Sequence, residues 1–191
     1  MNSFYTEVEI RELGFKTVGN NVQISRKASL YETEKMIIGS NVRIDDFALM
    51  SGKIVIGNNV HIAAYAALYG GNAGIILEDY VGVSSRCAIY AASDDYLGTA
   101  LTNPTVPIEY RKVNEKEVKL EKHVLIGTGT TILPGITIQT GTAVGSMSLV
   151  NRSLDDWGIY VGIPCRCIKE RDKELLKLEE EYKQKISRVE R

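Results

Sequence analysis

Aliphatic residues recur along this chain with a step of six, and the polar residues between them repeat in kind. The phased hexads read VGNNVQ from Val18, ISRKAS from Ile24, IGSNVR from Ile38, IDDFAL from Ile44, IGNNVH from Ile56, IAAYAA from Ile62, LEDYVG from Leu77 and VSSRCA from Val83. After a gap they resume as LEKHVL from Leu120, IGTGTT from Ile126, ILPGIT from Ile132, IQTGTA from Ile138 and VGSMSL from Val144. The first position is Ile, Leu or Val and the fifth is usually small or β-branched, so two side chains in six point inward. That fits a short strand followed by a turn. Such a strand cannot bury its apolar face alone, so successive turns must stack into a parallel β-helix, with three hexads, about 18 residues, per triangular coil. A β-sandwich predicts irregular strand lengths and hairpin turns, which a fixed six-residue phase does not show. The Gly and Asn residues at the second to fourth positions suit corners that need left-handed backbone.

The phase places the β-helix at residues 18–168, after an N-terminal extension at 1–17, and it fails in two places. From Ser93 to Glu117 the hexads give way to the polar stretch SDDYLGTALTNPTVPIEYRKVNEKE, an inserted loop of the length that functional loops have. After Ile168, residues 169–191 read as a C-terminal helix, because Leu175, Leu178, Tyr182, Ile186 and Val189 recur at three- and four-residue spacing. That stripe is expected to dock on a coil face or a neighbouring subunit, with the Glu and Lys residues as a solvated outer face. The fold class is therefore all-β with an inserted loop and one C-terminal α-helix.

Composition narrows the chemistry only slightly. The chain has 191 residues, 44% of them hydrophobic and 25% charged, as in an ordinary globular domain. A net charge of −1 gives no general attraction to nucleic acid or acidic membranes, so an anionic ligand must meet a local cluster of Lys and Arg. No stretch approaches the roughly 18 apolar residues of a membrane span, and a cytoplasmic location is expected. Cys87, Cys165 and Cys167 do not have zinc-ligand spacing and read as buried or idle thiols, so no metal is expected.

The segment from Ile126 to Ile168, IGTGTTILPGITIQTGTAVGSMSLV followed by IYVGIPCRCIK, resembles the end of the hexapeptide acyltransferases. The resemblance implies a left-handed β-helix, against the usual right-handed crossover rule. It also implies a homotrimer with acyl-CoA (acetyl-CoA or another short acyl-CoA) in a groove between two β-helices. Carried over, backbone amides near Gly127, Gly145 and Ser146 would hold the pantetheine arm, and Arg166 and Lys169 would meet CoA phosphates. For these residues the alternatives are corner turns and a solvated edge.

Sugar O-acetyltransferases of this family place a catalytic His where this chain reads IYAASDDY, so Asp94 stands in its position. A hydroxyl acceptor calls for a positioned base, commonly His, whereas a neutral amine attacks a thioester directly and loses its proton afterwards. Nearly the whole chain, including NVRIDDFALMSGKI, HIAAYAALYGG, YAASDDYLGTALTNPTVP and SLDDWGIYVGIP, is similar to the N-acyltransferases of nucleotide-linked 4-amino-4,6-dideoxy sugars, as in anthrose and viosamine pathways. That resemblance implies a dTDP-linked amino sugar as acceptor, Ser84 as donor to the thioester oxygen and Asp94 as the group that orients the amine and takes its proton. His61, Asp45, Asp46 and Tyr65 are expected to wall the sugar-nucleotide pocket, with Asn103 and Tyr110 contributing from the inserted loop. His123 is expected to face outward. Three readings compete: O-acetylation with His61 as base, a γ-type carbonic anhydrase, which needs three histidines where this chain has two, and a non-enzymatic scaffold.

Overall fold

The structure is a computed structural model and describes residues 3–189; residues 1–2 of the expected extension and 190–191 of the expected helix lie outside the described residues. The hexads form three faces of a left-handed parallel β-helix of about seven coils. On the first face the inward column runs Val18, Ile38, Ile56, Leu77, Leu120, Ile138, each paired in parallel register with the next, and ends in a bridge to Leu154. The second face stacks Ile24, Ile44, Ile62, Val83, Ile126, Val144 and Tyr160. The third stacks Leu30, Met50, Leu68, Ile89, Ile132 and Val150. Nearly all of these are fully buried, so the core is three continuous aliphatic columns. Several of the third column's members, Leu30, Met50, Leu68, Ile89 and Val150, fall outside the phased hexads, because the segment after this face varies in length from coil to coil.

The fifth positions close the corners. Between the second and third faces they are Ala28, half-buried, and Ala48, Ala66, Cys87, Thr130 and Ser148, all buried. The buried hydroxyls are satisfied locally: Thr130 and Ser148 both donate to the Gly145 carbonyl, at 3.1 and 2.7 Å, and Thr142 donates to that of Asp155 at 2.7 Å. Most corners also use one residue with positive φ. Between the first and second faces that column is Asn21, Asn41, Asn59, Tyr80, His123, Gly141 and Trp157. Asn suits this conformation, while a bulky residue there carries a strain of ~1–2 kcal/mol. Gly141 is required twice over, since a Cβ would also lie 2.5 Å from the Trp157 indole.

All the excursions leave from the corner between the third and first faces. They comprise a 3₁₀ turn at Thr33–Lys35, the Gly70–Gly74 bulge in the strand Ala67–Leu77, and the long loop whose neck pairs Ala92–Ser93 antiparallel with Asn114–Glu115. A short helix, α1 (Glu7–Glu12), begins with a capping box between Thr6 and Glu9 and buries Ile10 against the first coil.

The C-terminus departs from the sequence expectation. Residues Cys165–Glu170 form a strand antiparallel to Gly158–Gly162, and the helix, α2, spans Leu175–Val189. The run RDKE has no apolar residue at helical spacing, and Asp172 caps the later start by accepting the Glu174 amide at 2.8 Å. The helix is also anchored by a charge rather than by the full apolar stripe. Leu178 and Tyr182 remain 59% and 42% exposed, whereas Glu179 is 8% exposed and accepts from Lys122 and Lys183 at 2.6 Å and from His123 at 2.9 Å. His123 is therefore buried, not outward, and stacks on Tyr80. Arg171 adds a clamp, donating to the carbonyls of His123 and Gly141 at 2.9 Å each.

Burial pushes the Glu179 carboxyl up, but the bonds from Lys122, Lys183 and His123 outweigh it and hold the pKa at about 2 against an unfolded 4.5. A depressed folded-state pKa stabilises above the unfolded value and loses that contribution as pH falls from about 4.5 toward 2. Urea midpoints measured at pH 7, 4.5 and 3 should therefore fall at the acid end in the wild type. Glu179→Gln should start lower at pH 7 and fall less.

Candidate active site

The corner between the second and third faces gathers the expected polar residues on successive coils. Parallel register sets Arg43 beside His61 and His61 beside Gly82, while Asp45, Ala63 and Ser84 follow at the equivalent next-but-one positions. Asp45 accepts from Arg43 Nε at 2.7 Å and from His61 Nε2 at 2.8 Å. Because a carboxylate only accepts, this places the proton on His61 Nε2 and leaves Nδ1 as the open nitrogen. Burial pushes Asp45 up, yet His61 and Arg43 together hold its carboxyl below the usual range. Asp46 points back along the coil, accepting from Ser25 Oγ and from Lys27 Nζ.

His61 and Ser84 line one depression of about 240 Å³, together with Ala63, Ser85, Leu125 and Thr128. The Ser84 amide donates to Ile126 in the coil, while its Oγ pairs with no group among the described residues and remains a free donor. Below it, Tyr65 stacks on Phe47 with ring centroids 4.9 Å apart.

Asp94 is elsewhere. It sits past the loop neck, at the far end of the third face, in a recess of about 390 Å³ shared with Asp95, Tyr96 and Lys112. Its carboxylate accepts the Asn103 amide at 3.1 Å and faces Arg111 at 3.6 Å. Asp95 is a turn-builder, accepting from Leu97, Thr99 and Ala100. Asn103 thus enters the site through its backbone, its side chain being occupied by Thr105, and Tyr110 is 60% exposed on the loop. Ser84 and Asp94, expected to act together, stand at different corners within one chain.

The C-terminal coils correct a further expectation. The Gly127 and Gly145 amides donate to the carbonyls of Val144 and Tyr160 at 2.7 and 2.8 Å, so they belong to the coil ladder and are not available to a pantetheine arm. What these glycines supply is closeness: a Cβ on Gly127 would lie 2.5 Å from the Ser146 amide nitrogen. Ser146 is exposed at this corner, and Arg166 and Lys169 are exposed on the terminal antiparallel strand. Cys87 and Cys165 are buried with their thiols pushed up by burial, and Cys167 is exposed. Among the described residues no group of three or more His, Cys, Asp or Glu is placed to hold a metal ion, and no helix is long and apolar enough to cross a membrane.

Sequence reasoning missed Arg43, Phe47 and Arg111. The first two were within reach, since Arg43 and Phe47 precede His61 and Tyr65 by one coil in the same hexad positions. Arg111 had no such signal, because it lies in the unphased loop.

The bacterial transferase hexapeptide family (six repeats) matches residues 35–70. The chain is 41% identical over 184 residues, 95% of each chain, to dTDP-4-amino-4,6-dideoxy-D-glucose acyltransferase of Escherichia coli. It is also similar to AntD, an N-acyltransferase from Bacillus cereus solved in complex with dTDP and 3-hydroxybutyryl-CoA, at 51% identity and TM-score 0.95, covering 98% of this chain and 100% of that one. A serine-to-alanine form of AntD, solved with dTDP-4-amino-4,6-dideoxyglucose and coenzyme A, matches at 51% identity and TM-score 0.95, over 97% and 100% of the two chains.

If Arg111 holds Asp94 and the loop, Arg111→Gln should be nicked by chymotrypsin within residues 94–113 several-fold faster than wild type, at an unchanged melting temperature. Equal cleavage rates would show that the loop is held by its neck alone.

Proposed function

This chain belongs to the hexapeptide-repeat acyltransferases that include dTDP-4-amino-4,6-dideoxy-D-glucose acyltransferase, and we propose that it transfers a short acyl group from acyl-CoA to the amine of a dTDP-linked 4-amino-4,6-dideoxy sugar. The observation that carries this reading is the likeness over nearly the whole chain to AntD, solved with dTDP, the amino sugar nucleotide and acyl-CoA. In the reaction the sugar amine attacks the thioester carbon, the C–S bond breaks, and an amide and free CoA thiol result. The Ser84 hydroxyl donates to the carbonyl oxygen as negative charge develops on it. Asp94 orients the amine and accepts its proton, which then passes to the departing thiolate; the Asn103 amide and Arg111 hold the carboxylate in place.

The separation of Ser84 and Asp94 supports a site shared between copies, with the Ser84 corner of one chain facing the Asp94 loop of the next, as a threefold assembly of triangular coils provides. His61 and Asp45 approach the sugar beside Ser84, and acyl-CoA runs along the bare corner of Gly127, Gly145 and Ser146 toward Arg166 and Lys169. With acyl-CoA and a sugar nucleotide as substrates, the reading places the reaction in the cytoplasm and its product in surface-glycan synthesis.

One observation favours a second reading. The Asp45–His61 contact is the arrangement that orients a general-base histidine, as O-acetylation of a hydroxyl would use. His61→Asn discriminates: a loss of about 10² or more in kcat supports O-transfer, and a mild loss supports the amine.

The direct test follows free thiol on mixing the protein with an acyl-CoA and dTDP-4-amino-4,6-dideoxyglucose; no release above background overturns the proposal. Ser84→Ala and Asp94→Ala should each lower kcat by about 10² or more. Co-assembled from separately altered chains, the two variants should regain turnover, because some interfaces then hold both residues. Failure to regain it would place the two residues in one chain's site.

A further inference from the structure

The outward column of the second face runs Arg43, His61, Gly82, Leu125 and Ala143, one residue from each successive coil in parallel register. Gly82 is the one place in it without a side chain. The backbone does not ask for glycine there. Gly82 lies outside the left-handed region, and a Cβ would meet only Leu125 Cδ1, at 3.1 Å, the far end of a side chain that is 45% exposed and free to turn. Gly39, Gly57 and Gly127 differ, since a Cβ on them would strike the backbone of the next coil at 2.4, 2.8 and 2.5 Å. A glycine inside a strand gives up packing and order, and it marks a place where another backbone or a ligand approaches closely. Among the described residues no backbone of another coil comes within 4 Å of that Cβ, which leaves a ligand.

The hollow joins two depressions. His61, Gly82 and Leu125 line both the Ser84 depression and a larger groove of about 430 Å³ that runs under α2 past Val124, Leu178 and Tyr182. We propose that this groove receives the acyl chain of acyl-CoA, with Gly82 as its threshold and as the residue that sets how long a chain is accepted. The inference rests on the N-acyltransferase reading given above and assigns the end of the donor that reading leaves open. Direction selects the acyl chain. A thioester carbon is planar, so with its oxygen on Ser84 and its sulfur toward the corner of Gly127 and Gly145, the acyl chain takes the third in-plane direction. The amine then approaches from off the plane, on the side of the next copy's loop. Length agrees: Gly82 and Ser84 share the outward side of one strand about 7 Å apart, and a four-carbon acyl chain reaches about 4 Å beyond its carbonyl carbon. An acetyl group stops short of Gly82, whereas a butyryl group ends over it. The walls agree too. The charged groups of the groove are already engaged, Glu179 by Lys122, Lys183 and His123, and Arg171 by two carbonyls, which suits an uncharged chain and not a phosphate.

The test compares acetyl-CoA with butyryl-CoA, each with dTDP-4-amino-4,6-dideoxyglucose, on the wild type, Gly82→Ala and Gly82→Val. Val suits an outward strand position, so the melting temperature should hold or rise. The wild type should use butyryl-CoA at least as well as acetyl-CoA. In Gly82→Val the ratio of kcat/KM for butyryl-CoA to that for acetyl-CoA should fall about tenfold or more, and in Gly82→Ala several-fold, so the test survives if Val disturbs the strand. Calorimetric binding of free CoA and the KM for the sugar nucleotide should not move, because neither ligand carries the acyl chain. An unchanged ratio, an equal loss with both donors, or a wild type that takes acetyl but not butyryl groups overturns the groove as the acyl site. Weakened binding of free CoA would assign the hollow to the pantetheine arm, and a raised KM for the sugar nucleotide would assign it to the acceptor; either overturns the proposal. If the wild type releases no CoA from either donor, the N-acyltransferase reading falls together with it.

Discussion

Everything in this molecule depends on the like-on-like stacking of aliphatic side chains in parallel register. Ile44 sits on Ile62 and Ile126 under Val144, at a step of 18 residues, and the step departs from 18 only where the corner between the third and first faces is longer or, before Leu154, shorter. Each coil satisfies its outward amides and carbonyls through the coils above and below, so no strand is stable without its neighbours. The corners follow from that constraint. A chain that must turn three times in 18 residues uses a left-handed residue at most of its tight corners, and the hydrogen bonds that close them, such as Tyr65 N–H to Asp46 and Arg86 N–H to Ala64, run between coils.

This is why the scaffold was legible from the sequence. The first two columns are written as a fixed six-residue step within each coil, Val18 to Ile24, Ile38 to Ile44 and Ile56 to Ile62, and local spacing is enough to find them. What the spacing could not carry is contact across long sequence separation. His123 occupies an outward hexad position and would be exposed but for α2, which returns some fifty residues later to lay Glu179 against it. Glu179 in turn reads as one charge among many on an amphipathic helix. The proposed catalytic pair shows the limit in the opposite sense: Ser84 and Asp94 are near in sequence, yet a whole face of the coil separates them.

The site therefore divides along the helix axis. Of the proposed site residues, Asp45, His61 and Tyr65 occupy the N-terminal coils, Gly127, Gly145 and Ser146 the C-terminal coils, and Ser84 lies between them. In the proposed reaction, Asp94 in place of the expected histidine changes the chemistry without changing the frame that presents it. In that proposed reaction the proton acceptor arrives on a loop, and a loop is the one part of this fold whose length the core does not dictate.

The single-cornered origin of the excursions has a consequence for how such a protein can vary. Thr33–Lys35, Gly70–Gly74 and the 94–113 loop all leave after the third face and return before the first. Residues added there displace nothing on the Ser84 corner. An insertion of one residue at either of the other corners would instead turn every later inward side chain out to solvent. The fold thus has one open edge where new recognition elements can be grafted and two closed edges where change must come in whole turns. Substrate range in this architecture can drift along one seam while the geometry of group transfer stays in phase.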